Sequence, residues 1–331
     1  MEMSPNPRLP FLAMVHWTGV QNQHPTATTL FSVADARPLG GGGHGLEEEL
    51  KNKSMCPTAQ GWILVHDHAA TYLLDAKSLQ KIQLPHLAVE QRLIPYCSCL
   101  LRGEPTAAGC LVLLVEPAAA FIWYCRVGDG GEWTKHQYDI GSVGDGTFID
   151  KSLIAPIAAC RGRFYFNALS TETRVLELRA GAAPVFGSVA TERAEADRYT
   201  QAMVFMLTAD GEDEEEDLYK VVLLHNGGSF DKAMVFRMDF SEHRWRLVDH
   251  LGGRAFFVAQ MYFGASCVPV AGGGIRQDCV YSLVSAKNTY RIFNLKDGTS
   301  EVHNLEPDDE ATMKIVRKSR PCWVLPTHPR P

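Results

Sequence analysis

Gly61-Trp-Ile-Leu-Val65, a polar turn and then Thr71-Tyr-Leu-Leu-Asp75 make a unit of two apolar runs, and the unit recurs along the chain. Arg163-Phe-Tyr-Phe-Asn167 leads to Arg174-Val-Leu-Glu-Leu178, and Cys279-Val-Tyr-Ser-Leu283 leads to Thr289-Tyr-Arg-Ile-Phe-Asn-Leu295. In each copy the second run starts about ten residues after the first, the spacing of a hairpin with a short loop. Looser copies fill the gaps, pairing 111–115 with 121–125, 219–224 with 234–238, and 11–15 with 29–33. Val, Ile, Leu and aromatic residues dominate the runs, and Gly, Asp, Asn, Ser and Lys cluster between them. Each run therefore reads as a strand bounded by turns.

The first runs begin near residues 11, 61, 111, 163, 219 and 279. A period of roughly 50 to 60 residues is what a four-stranded blade with generous loops requires. One stretch shows four strands in order: Met203-Val-Phe-Met-Leu207, 219–224, 234–238 and Arg244-Trp-Arg-Leu-Val248. The expectation is an all-β chain folded as a single β-propeller of about six four-stranded blades, with seven as second choice. Radial packing of blades also hides sheet edges. A pair of β-sandwiches would need a linker near mid-chain, and none interrupts the repeats. Helical periodicity is confined to Leu46-Glu-Glu-Glu-Leu50, where Glu47/Lys51 and Glu49/Lys53 have i,i+4 spacing and predict a short surface helix.

The chain has 331 residues and a formal charge of -6, from 32 Lys plus Arg against 38 Asp plus Glu. It has no cationic excess to coat a phosphate backbone, so nucleic acid is not an expected partner. At 46% hydrophobic and 21% charged, the composition excludes a disordered or collagen-like chain. The nine cysteines are odd in number and sit mostly inside apolar runs, the pattern of free thiols in a reducing compartment. No signal-peptide pattern opens the sequence, and the apolar stretch 110–125 is broken by Glu116-Pro117. The expected location is cytoplasmic or nuclear, with no membrane partner. Asn52-Lys53-Ser54 matches a glycosylation triplet but needs a secretory route to matter.

Candidate chemistry is sparse. Leu39-Gly-Gly-Gly-Gly-His-Gly45 lacks the Gly-Lys-Ser/Thr of a phosphate loop and precedes three glutamates that repel phosphate; it reads as a loop. His66-Asp67-His68 would need a third metal ligand from elsewhere and reads as an exposed turn. Cys97-x-Cys99 lacks Cys-x-x-Cys spacing and a second pair. Gly211-Glu-Asp-Glu-Glu-Glu-Asp217 falls between the first two strands of the fifth blade and reads as a solvated acidic hairpin tip, with docking of a basic partner as the lesser reading. Ser142-Val-Gly-Asp-Gly-Thr-Phe148 comes near a sialidase Asp-box, but occurs once and with the wrong spacing. Trp62, Trp133, Trp245 and Trp323 recur beside turns and are expected to pack between blades, while Trp17 and Trp123 are left unassigned. No catalytic, cofactor-binding or metal-binding residue is assigned, and no cofactor is expected.

The C-terminal half carries a more specific pattern. His243-Arg-Trp-Arg-Leu-Val-Asp-His-Leu-Gly-Gly-Arg-Ala-Phe-Phe-Val258, then Asp278-Cys-Val-Tyr281 and Trp323-Val-Leu-Pro326, resemble the signature of the plant F-box-associated family with its KIB-type β-propeller, a domain of unknown function. Gly61-Trp62, the 128–133 segment and Gly162-Arg-Phe-Tyr165 also match, so the resemblance spans about Cys56 to Pro326. Gly253 and Val280 stand where the family usually has Asp and Ile.

The resemblance implies a propeller domain over 11–326, between tails at 1–10 and 327–331. It also implies a non-catalytic protein-interaction role, like that of the target-recognition domain of F-box ubiquitin-ligase subunits. The expected partner is a protein client of unknown identity; the alternative is a propeller-fold enzyme acting on a small molecule or glycan. No F-box pattern precedes the first strand, and Pro5, Pro7 and Pro10 oppose a helix there. Direct docking on the ligase adaptor is therefore not expected, and a client-binding chain would act as a competitor or scaffold.

Overall fold

The computed structural model describes residues 10–18, 24–35, 37–39, 45–116, 118–143, 150–169, 171–192, 202–211, 215–226, 229–271, 273–284, 289–305 and 320–326. The tail 327–331, most of the tail 1–10, the run 40–44, most of the Asp-box-like stretch and 212–214 lie outside them.

Six blades form a ring. Blade I pairs Arg320–Val324, Phe11–Thr18, His24–Ser32 and Arg37–Pro38 in that order. The last strand of the chain thus hydrogen-bonds to the first, with Phe11 opposite Val324 and Leu12 opposite Trp323, and closes the circle. Blade II runs Ser54–Pro57, Trp62–His66, Thr71–Asp75, Lys81–Leu84. Blade III runs Ser98–Arg102, Leu111–Val115, Phe121–Arg126, Thr134–Gln137. Blade IV runs Ile157–Cys160, Arg163–Phe166, Glu172–Glu177, Val185–Ala190. Blade V runs Ala202–Asp210, Glu216–Asn226, Ser229–Asp239, Arg244–Val248. A small ribbon, Ser142–Val143 with Asp150–Lys151, lies between blades III and IV in sequence.

Blade VI differs from the expected four antiparallel strands. Its order is Phe263–Cys267, Ala255–Ala259, Cys279–Leu283, Thr289–Asn294, Ser300–Asn304, and the second and third of these pair in parallel. The chain turns tightly through Met261 and Tyr262, both at positive φ, and returns along the inner strand of blade V. A crossover then lays Cys279–Leu283 beside Ala255–Ala259, since parallel neighbours cannot be joined by a hairpin. Gly264 permits the close approach: a Cβ there would come within 2.6 Å of the Met206 carbonyl oxygen.

Six separate apolar cores fill the six gaps between neighbouring blades. Strand periodicity explains how one sequence run serves two of them. In Leu111–Val115, Val112 and Leu114 face blade II while Leu111, Leu113 and Val115 face blade IV. In Trp62–His66, Trp62 and Leu64 face blade III while Ile63 and Val65 face blade I. Strands buried on both faces become continuous apolar runs rather than alternating ones.

Five of the six repeated first runs thereby prove to be the second strand from the axis, a position with a blade on each face and a strand on each edge, while Cys279–Leu283 is the third strand of blade VI, after Phe263–Cys267 and Ala255–Ala259. The helix Gly45–Leu50 forms, but Leu46 and Leu50 are buried in the blade I/II core, so it is docked rather than free on the surface. Glu49 pairs with Lys53 as expected, at 2.8 Å. Lys51 instead reaches Glu48, while Glu47 accepts the backbone N–H of Leu30.

Candidate functional site

The inner strands surround the axis, and the turn of blade VI fills one end of it. Ser98 on blade III donates its hydroxyl to the Met261 carbonyl at 3.0 Å and fixes that turn. A cavity of about 90 Å³ remains, lined among others by Met55, Leu100, Ala158, Leu207, Tyr262 and Phe263. Among the described residues its lining is apolar apart from thiols, Gln60, Ser98, Thr208, Gln260 and Tyr262, and contains no carboxylate, guanidinium, amine or imidazole.

The thiols are Cys56, Cys97, Cys99 and Cys322. Burial pushes Cys56 and Cys322 up to about 12, and drives Cys97 and Cys99 well above the ordinary thiol range. Each is therefore a protonated S–H at neutral pH and a poor nucleophile. Their contacts agree: Cys56 donates to the Cys97 carbonyl at 3.1 Å, Cys97 to Leu93 at 3.4 Å and Cys322 to Ala13 at 3.6 Å. Gln60 donates its amide to the Leu101 carbonyl at 3.2 Å, and its Oε1 is buried without a hydrogen-bond partner among the described residues.

His66 departs from the sequence reading. It closes the strand Trp62–His66 and is buried rather than exposed in a turn. Its Nε2–H donates to the Val89 carbonyl at 3.1 Å, which leaves Nδ1 to accept from Thr71 Oγ1 at 2.9 Å. Burial lowers its pKa, in keeping with a neutral ring. Asp67 is the turn former: its Oδ1 accepts the backbone N–H groups of Ala69 and Ala70.

The described end of the acidic run lies at the tip of the hairpin between the first two strands of blade V, with Glu215 exposed, and it also meets cations. Glu215 pairs with Arg161 at 2.9 Å, Asp217 pairs with Arg237 at 3.5 Å, and the Glu216 carbonyl accepts from Arg161 Nε at 2.9 Å. Cations on blades IV and V relieve the repulsion that the sequence alone presents.

The tryptophans sit between blades. Trp62 packs in the blade II/III core. Trp133 of the segment leading into the outer strand of blade III donates to the Pro85 carbonyl at 2.8 Å, just past blade II. Trp245 on blade V donates to Thr173 Oγ1 on blade IV at 3.2 Å. Trp323 on blade I donates to the Val258 carbonyl on blade VI at 3.0 Å. Trp123, partly buried, stacks under Lys135 Nζ at 4.6 Å from its ring; the side chain of Trp17 lies outside the described residues. Sequence reasoning missed the axial cavity, whose only local signal is Cys97-x-Cys99.

A family profile described as the KIB1-4 β-propeller matches residues 31–306. No curated protein matches the sequence significantly. Among solved structures the chain is similar to AofleA from Arthrobotrys oligospora, at 11% identity over 98% of this chain and 92% of that one, with a TM-score of 0.37. It is similar to the calcium-binding protein regucalcin from Agrobacterium tumefaciens, at 12% identity over 91% and 94%, with a TM-score of 0.34. It is similar also to the WD40 domain of SCAP from fission yeast, at 8% identity over 90% and 84%, with a TM-score of 0.30.

Proposed function

Because the chain belongs to the KIB1-4 β-propeller family, we propose that it is a non-catalytic protein-interaction module, related in role to the target-recognition domains of plant F-box ubiquitin-ligase subunits. The observation that carries this reading is the chemistry of the axis. Propeller enzymes need acids, bases or metal ligands that converge on a substrate, whereas the described lining of this cavity presents apolar side chains, uncharged amides and hydroxyls, and protonated thiols. Recognition then falls to the loops at the two ends of the ring, which a rigid scaffold holds in place.

No helix among the described residues is long and apolar enough to cross a membrane. Nine free cysteines suit the reducing cytoplasm or nucleus, which is where we place the protein.

Affinity capture with the whole chain as bait, followed by mass spectrometry, tests the reading. Recovery of a defined protein client supports it; a metabolite or glycan that the protein turns over overturns it. A parallel pull-down with purified ligase adaptor tests the further expectation that this chain does not dock there directly. Binding at micromolar affinity or better, about −8 kcal/mol, would overturn that expectation.

A further inference from the structure

Arginines gather at one end of the ring between blades III and IV. Arg102 ends the inner strand of blade III and Arg126 ends its third strand, and both stand opposite Leu111 in the register. Residues opposite one another project from the same side of a sheet. Leu111 packs in the blade III/IV core, so both guanidiniums leave toward blade IV. Blade IV answers with Arg161 and Arg163 around its first turn and Arg179 beyond its third strand. The five arginines line an open pocket of about 390 Å³, in which Glu177 is the one acidic lining residue among the described residues.

The charges in this pocket do not balance. Arg163 and Arg179 share the single carboxylate of Glu177, at 3.1 and 2.6 Å. Arg161 is held by Glu215 at the border. Among the described residues neither Arg102 nor Arg126 has a carboxylate partner: Arg102 donates to the Gly162 and Leu178 carbonyls, and Arg126 to that of Gly109. Burial first, and then the like charge of the neighbouring Arg126, pull the Arg102 pKa down. All this occurs on a chain of net charge -6, where a basic cluster is not a by-product of composition.

We propose that this pocket binds a phosphomonoester dianion carried on a serine or threonine side chain of a protein partner. A phosphomonoester brings close to two negative charges and three acceptor oxygens, which suit fork-shaped guanidiniums better than a single carboxylate does. The excess here is of that order: Arg102, Arg126 and the unshared part of the Arg163/Arg179 pair. The pocket has room for one phosphoryl group and its side chain. A polyanion backbone would run onto Glu215 and Asp217 at the edge. This proposal rests on the client-binding reading and names what a client presents.

The whole chain is titrated with inorganic phosphate at constant ionic strength, then exposed to a degenerate phosphoserine and phosphothreonine peptide library beside the same library unphosphorylated. Saturable phosphate binding and selective retention of the phosphorylated library are expected. Arg126→Gln should weaken retention at least tenfold with an unchanged melting temperature, because among the described residues Arg126 bonds only within its own blade. Arg102→Gln should weaken it too, but Arg102 ties two blades together, so Arg126→Gln is the deciding variant. Equal retention of both libraries overturns the proposal, as does retention unaffected by Arg126→Gln. Phosphate binding without phosphopeptide retention overturns the assignment to a protein partner. Clients captured equally by Arg126→Gln would remove this pocket and leave client binding standing, whereas capture of no client with intact phosphopeptide retention would do the reverse.

Discussion

Trp323 Nε1 donates to the Val258 carbonyl oxygen at 3.0 Å, joining the last strand of the chain to the second strand of blade VI. Its ring is fully buried and meets those of Phe257, Tyr281 and Tyr290 at centroid distances of 5.0, 6.3 and 6.2 Å. One residue thus fastens the strand that closes the ring to the neighbouring blade as well as to its own. Trp323→Ala should cost about 3–5 kcal/mol through the cavity it leaves. Trp323→Phe keeps an aromatic ring but removes the donor, and should cost about 1–3 kcal/mol. Chemical denaturation of the two variants checks both figures, and an unchanged midpoint for Trp323→Ala would refute a closing role.

Trp245 does the corresponding work between blades IV and V. Its indole donates to Thr173 Oγ1 at 3.2 Å, and Lys220 Nζ lies 4.9 Å from its ring. Trp245→Ala should cost about 3–5 kcal/mol. In a double-mutant cycle with Thr173→Val, a coupling of about 0.5–1.5 kcal/mol would isolate the hydrogen bond from the packing. Coupling near zero would assign the whole effect to packing.

What the sequence disclosed follows from burial. Leu111–Val115 is visible because it is apolar on both faces, and strands of this kind set the repeat and the blade number. The inner strand Ser54–Pro57 carries no such signature, since short, mixed residues suffice to line an axis. Blade VI was legible in Cys279–Leu283 and Thr289–Asn294 but not as a parallel pair, because nothing in a strand's own residues says that Ala255–Ala259 lies beside it in the same direction. The axial cavity and the arginine pocket were hidden for another reason. Arg102, Arg126, Arg161, Arg163 and Arg179 have no common spacing, and only the register of two blades brings them to one place.

Glu49 predicts how stability depends on acid. Burial alone would raise its pKa, but hydrogen bonds from Lys53, Lys81 and Tyr72 outweigh that and hold it at about 2, below the ordinary 4.5. A carboxylate whose pKa is lowered on folding contributes stability above its unfolded pKa and loses it as pH falls toward the folded one. The contribution should therefore fade between about pH 5 and pH 2. His66, lowered by burial, adds a loss that begins as pH falls below its ordinary 6.5. Melting temperatures measured across pH 2–7 should fall less steeply in Glu49→Gln than in the unaltered chain at the acid end. Parallel curves there would show that the carboxylate is not held by these partners.

The axial thiols give the sharpest test of a non-catalytic axis. Alkylation by iodoacetamide proceeds through the thiolate, so its rate follows the ionised fraction. With a pKa of about 12, Cys56 and Cys322 at pH 8 have roughly one thiolate in ten thousand, against about a quarter for an unperturbed cysteine. Ionisation alone should slow their modification roughly two-thousandfold, before access to the cavity is counted. Mass spectrometry of the folded protein should therefore find the peptides bearing Cys56, Cys97, Cys99 and Cys322 unmodified over times that label the urea-unfolded chain fully. Rapid labelling of any one of them in the folded state would mean that a thiolate is stabilised on the axis. A nucleophile of that kind inside the ring would reopen the enzymatic reading that the protonated thiols argue against.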